Sequence, residues 1–141
     1  MRSLAHIREM DEALDDWERY KSLPLERLLK ERDLKNMVLH ALLVSIQAAI
    51  DVANHLISEE GLRRPANYRE AFQILGEAEL INDDLARELS DLAGFRNVLV
   101  HIYWGLDMEM VYHILQNDRK HLVNFRDEVK RILCHRSSKG E

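Results

Sequence analysis

Cys134 is the chain's only cysteine, so no intrachain disulfide can form and a reducing, cytoplasmic setting is expected. Prolines number two and glycines five, which leaves few points where a helix must stop. The longest apolar run, residues 38–50, is interrupted by His40, Ser45 and Gln47 and ended by Asp51, well short of the ~20 apolar residues a membrane span needs. After Met1 the chain soon turns acidic through Glu9, Asp11, Glu12, Asp15 and Asp16, so the apolar core of a secretory leader is missing. Positive charge is also short. With 20 Lys and Arg against 25 Asp and Glu the formal net charge is −5, which argues against coating nucleic acid through bulk potential but leaves room for a local basic cleft. There is no repeat, no low-complexity tract and no useful strand-like alternation.

What remains is helical periodicity over a length that suits one domain, residues 1–135, with a frayed tail at 136–141. Ile7, Met10, Leu14 and Trp17 fall on one face of a first helix spanning about 3–21. Pro24 suits the first turn of a short helix through Leu28. A long helix over about 33–60 is apolar on most sides and should be central. Asn67 and Glu70 have capping-box spacing for a third long helix, and Asn82 with Asp83 and Asp84 opens a fourth that Gly105 should end. Asp107 can cap a last helix running through Ile132. The expected fold is all-α, a compact bundle of four to five helices.

Polar side chains inside these apolar segments need a reason, because a buried polar group without a partner costs roughly 2–7 kcal/mol. The central helix carries Gln47, Asp51, Asn54 and His55 near one line. Asp51 and His55, four apart, have the spacing of two metal ligands. Elsewhere the chain offers only stray pairs such as Asp118 with His121, so no metal and no cofactor are expected. The stripe reads instead as the lining of a cleft or as a network bracing the fourth helix. Arg63 and Arg64 read as a solvated loop, with phosphate binding as the alternative.

The fourth helix sets Arg96, His101 and Tyr103 in an apolar run. A guanidinium can hold a phosphate through two parallel hydrogen bonds, and an imidazole transfers protons near neutral pH, a pairing suited to phosphodiester chemistry. Positions five apart are rotated by about 140° on a helix, so Arg96 and His101 of one chain would not converge. A twofold dimer solves this by facing Arg96 of one copy with His101 of the other, and Gly94 would let the two backbones approach. Asn97, four residues before His101, could orient the imidazole. From composition alone, His101 reads more readily as a hydrogen-bonded core histidine with Arg96 its structural neighbour.

Arg96, four residues, His101, one residue and Tyr103 match the R-x4-H-x-Y signature of HEPN domains. The surrounding GFRNVLVHIYWGLD, and AIDVANHLISEEGLRRPANYREAFQILGEAELI over residues 49–81, resemble the HepT-like toxin family. The resemblance implies a HEPN-like helical bundle that dimerises through its motif-bearing helices. It also implies a metal-independent ribonuclease, the toxin of a toxin-antitoxin pair with an MNT-type nucleotidyltransferase. Carried over, Arg96 and His101 are the catalytic pair, supported by Asn97, Asp51 and His55. Tyr103 becomes the acceptor of the AMP by which the antitoxin silences the nuclease. A different class of function stays open on the residues themselves: a non-catalytic helical binding partner of a minimal nucleotidyltransferase.

Overall fold

The structure is a computed structural model that describes residues 2–139, with side chains described over 5–136. Seven α-helices follow one another: α1 (Arg2–Tyr20), α2 (Leu25–Lys30), α3 (Arg32–Glu59), α4 (Tyr68–Glu77), α5 (Asp83–His101), α6 (Met108–Asn117) and α7 (Arg119–Lys139). A single 3₁₀ turn, Tyr103–Gly105, lies between α5 and α6. No strand occurs among the described residues. The all-α reading holds, with seven helices where four to five were expected.

The core is built around α3. Its length and apolarity would suffice to cross a membrane, a stretch longer than the 38–50 run suggests, yet most of its surface is buried inside the protein. Leu42, Ile46 and Ile50 of α3 meet Met10, Leu14 and Trp17 of α1, all six shut off from solvent. Trp17 donates its indole N–H to the Leu115 carbonyl at 2.8 Å, so the polar edge of the ring is satisfied inside the core. The Leu14 carbonyl accepts from Nε of Arg119 at 3.0 Å. Phe72 of α4 and Phe125 of α7 pack edge to face at 5.5 Å. Residues 14–17 of α1 are thereby tied to the last third of the chain.

The caps behave largely as their residues dictate. Asn67 accepts from the Glu70 backbone N–H at 2.9 Å, and Glu70 returns a bond to the N–H of Ala66 rather than to that of Asn67. That backbone bond holds the Glu70 carboxyl below the usual carboxylate range. Asn82 accepts from Leu85 N–H and Asp107 from those of Glu109 and Met110. Three boundaries differ from the sequence reading. The last helix is two, because Asn117 turns its side-chain amide back onto the His113 carbonyl, a competitor for the helical ladder, and Asp118 breaks the chain. The tail expected from 136 is helical to Lys139, and at its start Arg136 pairs with Glu59, the last residue of α3, and with Glu60 just after it. Residues 140 and 141 lie outside the described residues.

The third difference bears on function. α5 ends at His101, not at Gly105. Ile102 still donates to the Val98 carbonyl at 2.9 Å but sits at φ −124°, ψ 38°, outside the helix. Gly105 N–H then bonds the Ile102 carbonyl and closes the 3₁₀ turn. The Tyr103 hydroxyl reaches Asn36 on α3.

Candidate active site around Arg96

Arg96 leaves α5 half-buried and points toward α3. Its Nε donates to Oε1 of Gln47 at 2.8 Å and its Nη1 to Oδ1 of Asn97 at 3.1 Å. The guanidinium carbon lies 4.9 Å from the centre of the Tyr68 ring on α4, a cation–π contact. Every one of these partners is neutral. By contrast Arg119, Arg126 and Arg136, the other half-buried arginines described, each face a carboxylate within 3.4 Å. Arg96 therefore keeps its positive charge unbalanced, with further N–H donors open to an incoming anion.

Gln47 is oriented in turn by Asp51. Its Nε2 donates to Oδ1 of Asp51 at 3.0 Å, one helical turn along α3, so that its carbonyl oxygen is the end turned to Arg96. Of the polar stripe, Gln47 and Asp51 thus brace Arg96 as a network on the fourth helix. Replacing Gln47 by leucine deletes both bonds. The expected cost is about 1 kcal/mol, at the low end for hydrogen bonds because the groups are half-buried, read as a lowered urea midpoint.

The other expected members are placed as follows. His101 is the last residue of α5 and is exposed. Asn97 bonds Arg96, and among the described residues no hydrogen bond joins it to His101. His55 is half-buried elsewhere on α3, its ring 6.2 Å from that of His6 on α1 and its Nε2 3.2 Å from Glu59, with no contact to Arg96. Tyr103 is half-buried, bonded to Asn36 and packed edge to face on Trp104 at 5.8 Å. The sequence reading missed Asn36 and Tyr68. Nothing in their own neighbourhoods distinguishes them, since both are recruited from other helices by contacts long in sequence.

At Gly94 a side chain of the same protomer lies over the backbone. A Cβ there would lie 2.2 Å from Nη1 of Arg69, whose guanidinium crosses the glycine and reaches Asp91 at 3.4 Å. The space belongs to a side chain of α4 within the same protomer. Among the described residues, no group of three or more His, Cys, Asp or Glu side chains is placed to hold a metal ion.

Past the end of α5 the surface turns apolar. Val100 is 42% exposed, Ile102 53% and Trp104 92%, and Met37 on α3 is also open.

The sequence profile described as ribonuclease HepT-like matches residues 10–129. The chain is 33% identical over 84 residues to the mRNA nuclease HepT of Shewanella oneidensis, covering 60% of this chain and 63% of that protein. It is 28% identical over 99 residues to the tRNA nuclease HepT of Aphanizomenon flos-aquae, covering 70% of this chain and 67% of that one. The matched segment thus spans less than two thirds of the Shewanella nuclease. Among solved structures, a tri-AMPylated Shewanella oneidensis HEPN toxin in complex with MNT antitoxin superposes with a TM-score of 0.83 at 25% identity, over 92% of this chain and 96% of that one.

Proposed function

This chain belongs to the ribonuclease HepT-like family, and on that premise we propose that it is a metal-independent endoribonuclease, the toxin of a toxin-antitoxin pair. The observation that carries the reading is the half-buried Arg96 held only by neutral groups. Such a cation binds the scissile phosphate and stabilises the charge that grows on its oxygens in the transition state. His101 moves the protons: it takes one from the ribose 2′-hydroxyl, or gives one to the departing 5′-oxygen. The 2′-oxygen forms its bond to phosphorus as the 5′-oxygen leaves, so the products are a 2′,3′-cyclic phosphate and a 5′-hydroxyl.

The reading includes a homodimer. Val100, Ile102 and Trp104 supply the apolar surface that a second copy would cover, next to the exposed His101 at the end of α5. Across a twofold axis Arg96 of one copy meets His101 of the other. An MNT-type nucleotidyltransferase is the proposed antitoxin, supported by the superposed toxin in complex with MNT antitoxin, and Tyr103 is the proposed AMP acceptor. A cytoplasmic location goes with this reading.

The test is cleavage of RNA by the purified chain in excess EDTA. Expected are fragments ending in 2′,3′-cyclic phosphate, at a rate that EDTA leaves unchanged. Loss of cleavage on adding EDTA refutes the metal-free mechanism. RNA left intact with and without added divalent metal leaves the chain as a non-catalytic partner of the nucleotidyltransferase.

A further inference from the structure

Two turns along α3 from Gln47 the surface opens into a cleft of about 610 Å³, walled by the end of α3, the loop after it and the first residue of α4. That volume lies in the range of roughly 300–1,000 Å³ typical of small-molecule sites. Its polar lining is Asn54, Ser58, Arg64, Asn67 and Tyr68, and no carboxylate borders it. The contrast with other clefts is sharp. One is bordered by Glu77, Glu79, Asp83 and Glu128, another by Asp84, Glu88, Asp127 and Glu128. On a chain of net charge −5, a cleft without acids is where a polyanion meets least repulsion.

The two neighbouring arginines of the loop are not equivalent. Arg63 is consumed by Glu70 at 3.0 Å and Glu77 at 3.1 Å. Arg64 has neither an ion pair nor a hydrogen bond among the described residues, and it lines the cleft. The cleft also joins the Arg96 site directly, because Tyr68 lies against the Arg96 guanidinium and lines the cleft as well. Its position relative to His101 follows from α3. Tyr103 meets α3 at Asn36 and Arg96 meets it at Gln47, so the chain from α5 into the 3₁₀ turn runs antiparallel to α3. Asn54 lies beyond Gln47 in the same direction. The cleft and the His101 end of α5 are on opposite sides of Arg96.

We propose that this cleft is a nucleotide-binding subsite for single-stranded RNA, holding a nucleotide next to the scissile position, on the side of Arg96 away from the end of its own α5. Arg64 pairs with its phosphate. The Tyr68 ring offers a stacking surface for its base, sequence-tolerant because every base has a π-face. Asn54 and Ser58 supply hydrogen bonds to sugar or base edge. The subsite rests on the reading of Arg96 as the holder of the scissile phosphate.

The experiment uses the full-length His101→Ala protein, so that RNA is bound without being cut, and a short fluorescein-labelled single-stranded RNA followed by anisotropy over a range of salt. Arg64→Gln, an exposed side chain with no internal partner, should weaken binding about tenfold and flatten the dependence of log K on log salt by about one unit. Asn54→Asp, which puts a carboxylate into the cleft, should also weaken binding. Arg87→Gln, beside the acidic clefts, should change it less than about twofold. Unchanged affinity and salt slope in both cleft variants, or an equal loss in Arg87→Gln, overturns the subsite. The reading of the Arg96 site fails separately, by an Arg96→Ala protein with His101 intact that cuts RNA at the parental rate.

Discussion

Purified His101→Ala protein should cut RNA about 10²- to 10⁴-fold more slowly than the parent, the range expected when a positioned proton donor or acceptor is removed. The fold should be indifferent to the change. His101 is exposed at the last position of α5 and makes no hydrogen bond through its side chain among the described residues. The unfolding free energy from urea titration should therefore stay within about 0.5 kcal/mol of the parent's, as for an ordinary surface substitution. Parental cleavage by His101→Ala excludes the imidazole from the chemistry.

The same variant tests whether the site spans two copies. In a mixed dimer of Arg96→Ala with His101→Ala, a site composed across the axis leaves one cleft with both its arginine and its histidine. Mixing the two inactive proteins should then restore part of the activity. A site contained within one chain predicts no recovery, because each protomer of the mixed dimer lacks one member. Helix geometry favours recovery, since residues 96 and 101 are rotated by about 140° from each other on α5.

The second large effect is at Tyr103. With a catalytic amount of the nucleotidyltransferase and ATP, the parent should gain the mass of AMP and lose cleavage, while Tyr103→Phe should gain none at this position and stay active. The phenol oxygen attacks the α-phosphorus of ATP, pyrophosphate departs, and the phenolic proton goes to solvent or to a base of the transferase. In the structure that proton is engaged by Asn36, so the ring must leave α3 before it can react. The attached phosphate then carries negative charge two residues from His101, where it repels RNA. Full silencing of Tyr103→Phe under these conditions refutes the assignment.

How far the sequence could be read follows from where each feature's determinants lie. Helices and caps depend on residues within a turn or two, so Asn67, Asn82 and Asp107 mark their helix starts without further information. The end of α5 was legible only in part. Gly105 is a breaker by its own nature, but the helix already stops at His101, and the bond that Tyr103 makes just beyond it is to Asn36, a residue of α3. The same holds for Arg96, whose partners come from α3, α4 and its own neighbour Asn97, so spacing along α5 gave its chemistry but not its company. Arg63 and Arg64 look identical as a dipeptide, and only the acids of α4 separate them. His55 shares a stripe with Asp51 on paper, yet the turn of the helix is enough to bring its ring to His6 on α1.

The bond from Trp17 to the Leu115 carbonyl, with Arg119 bonded to that of Leu14, governs when the molecule can come into being during synthesis. Residues 14–17 leave the ribosome early but are satisfied only by residues made nearly a hundred positions later, and such distant pairing closes late. Arg96, His101 and Tyr103 are therefore translated before the helices that complete the core exist. A chain released before residue 115 would carry the motif on an open scaffold, without the fold that positions it.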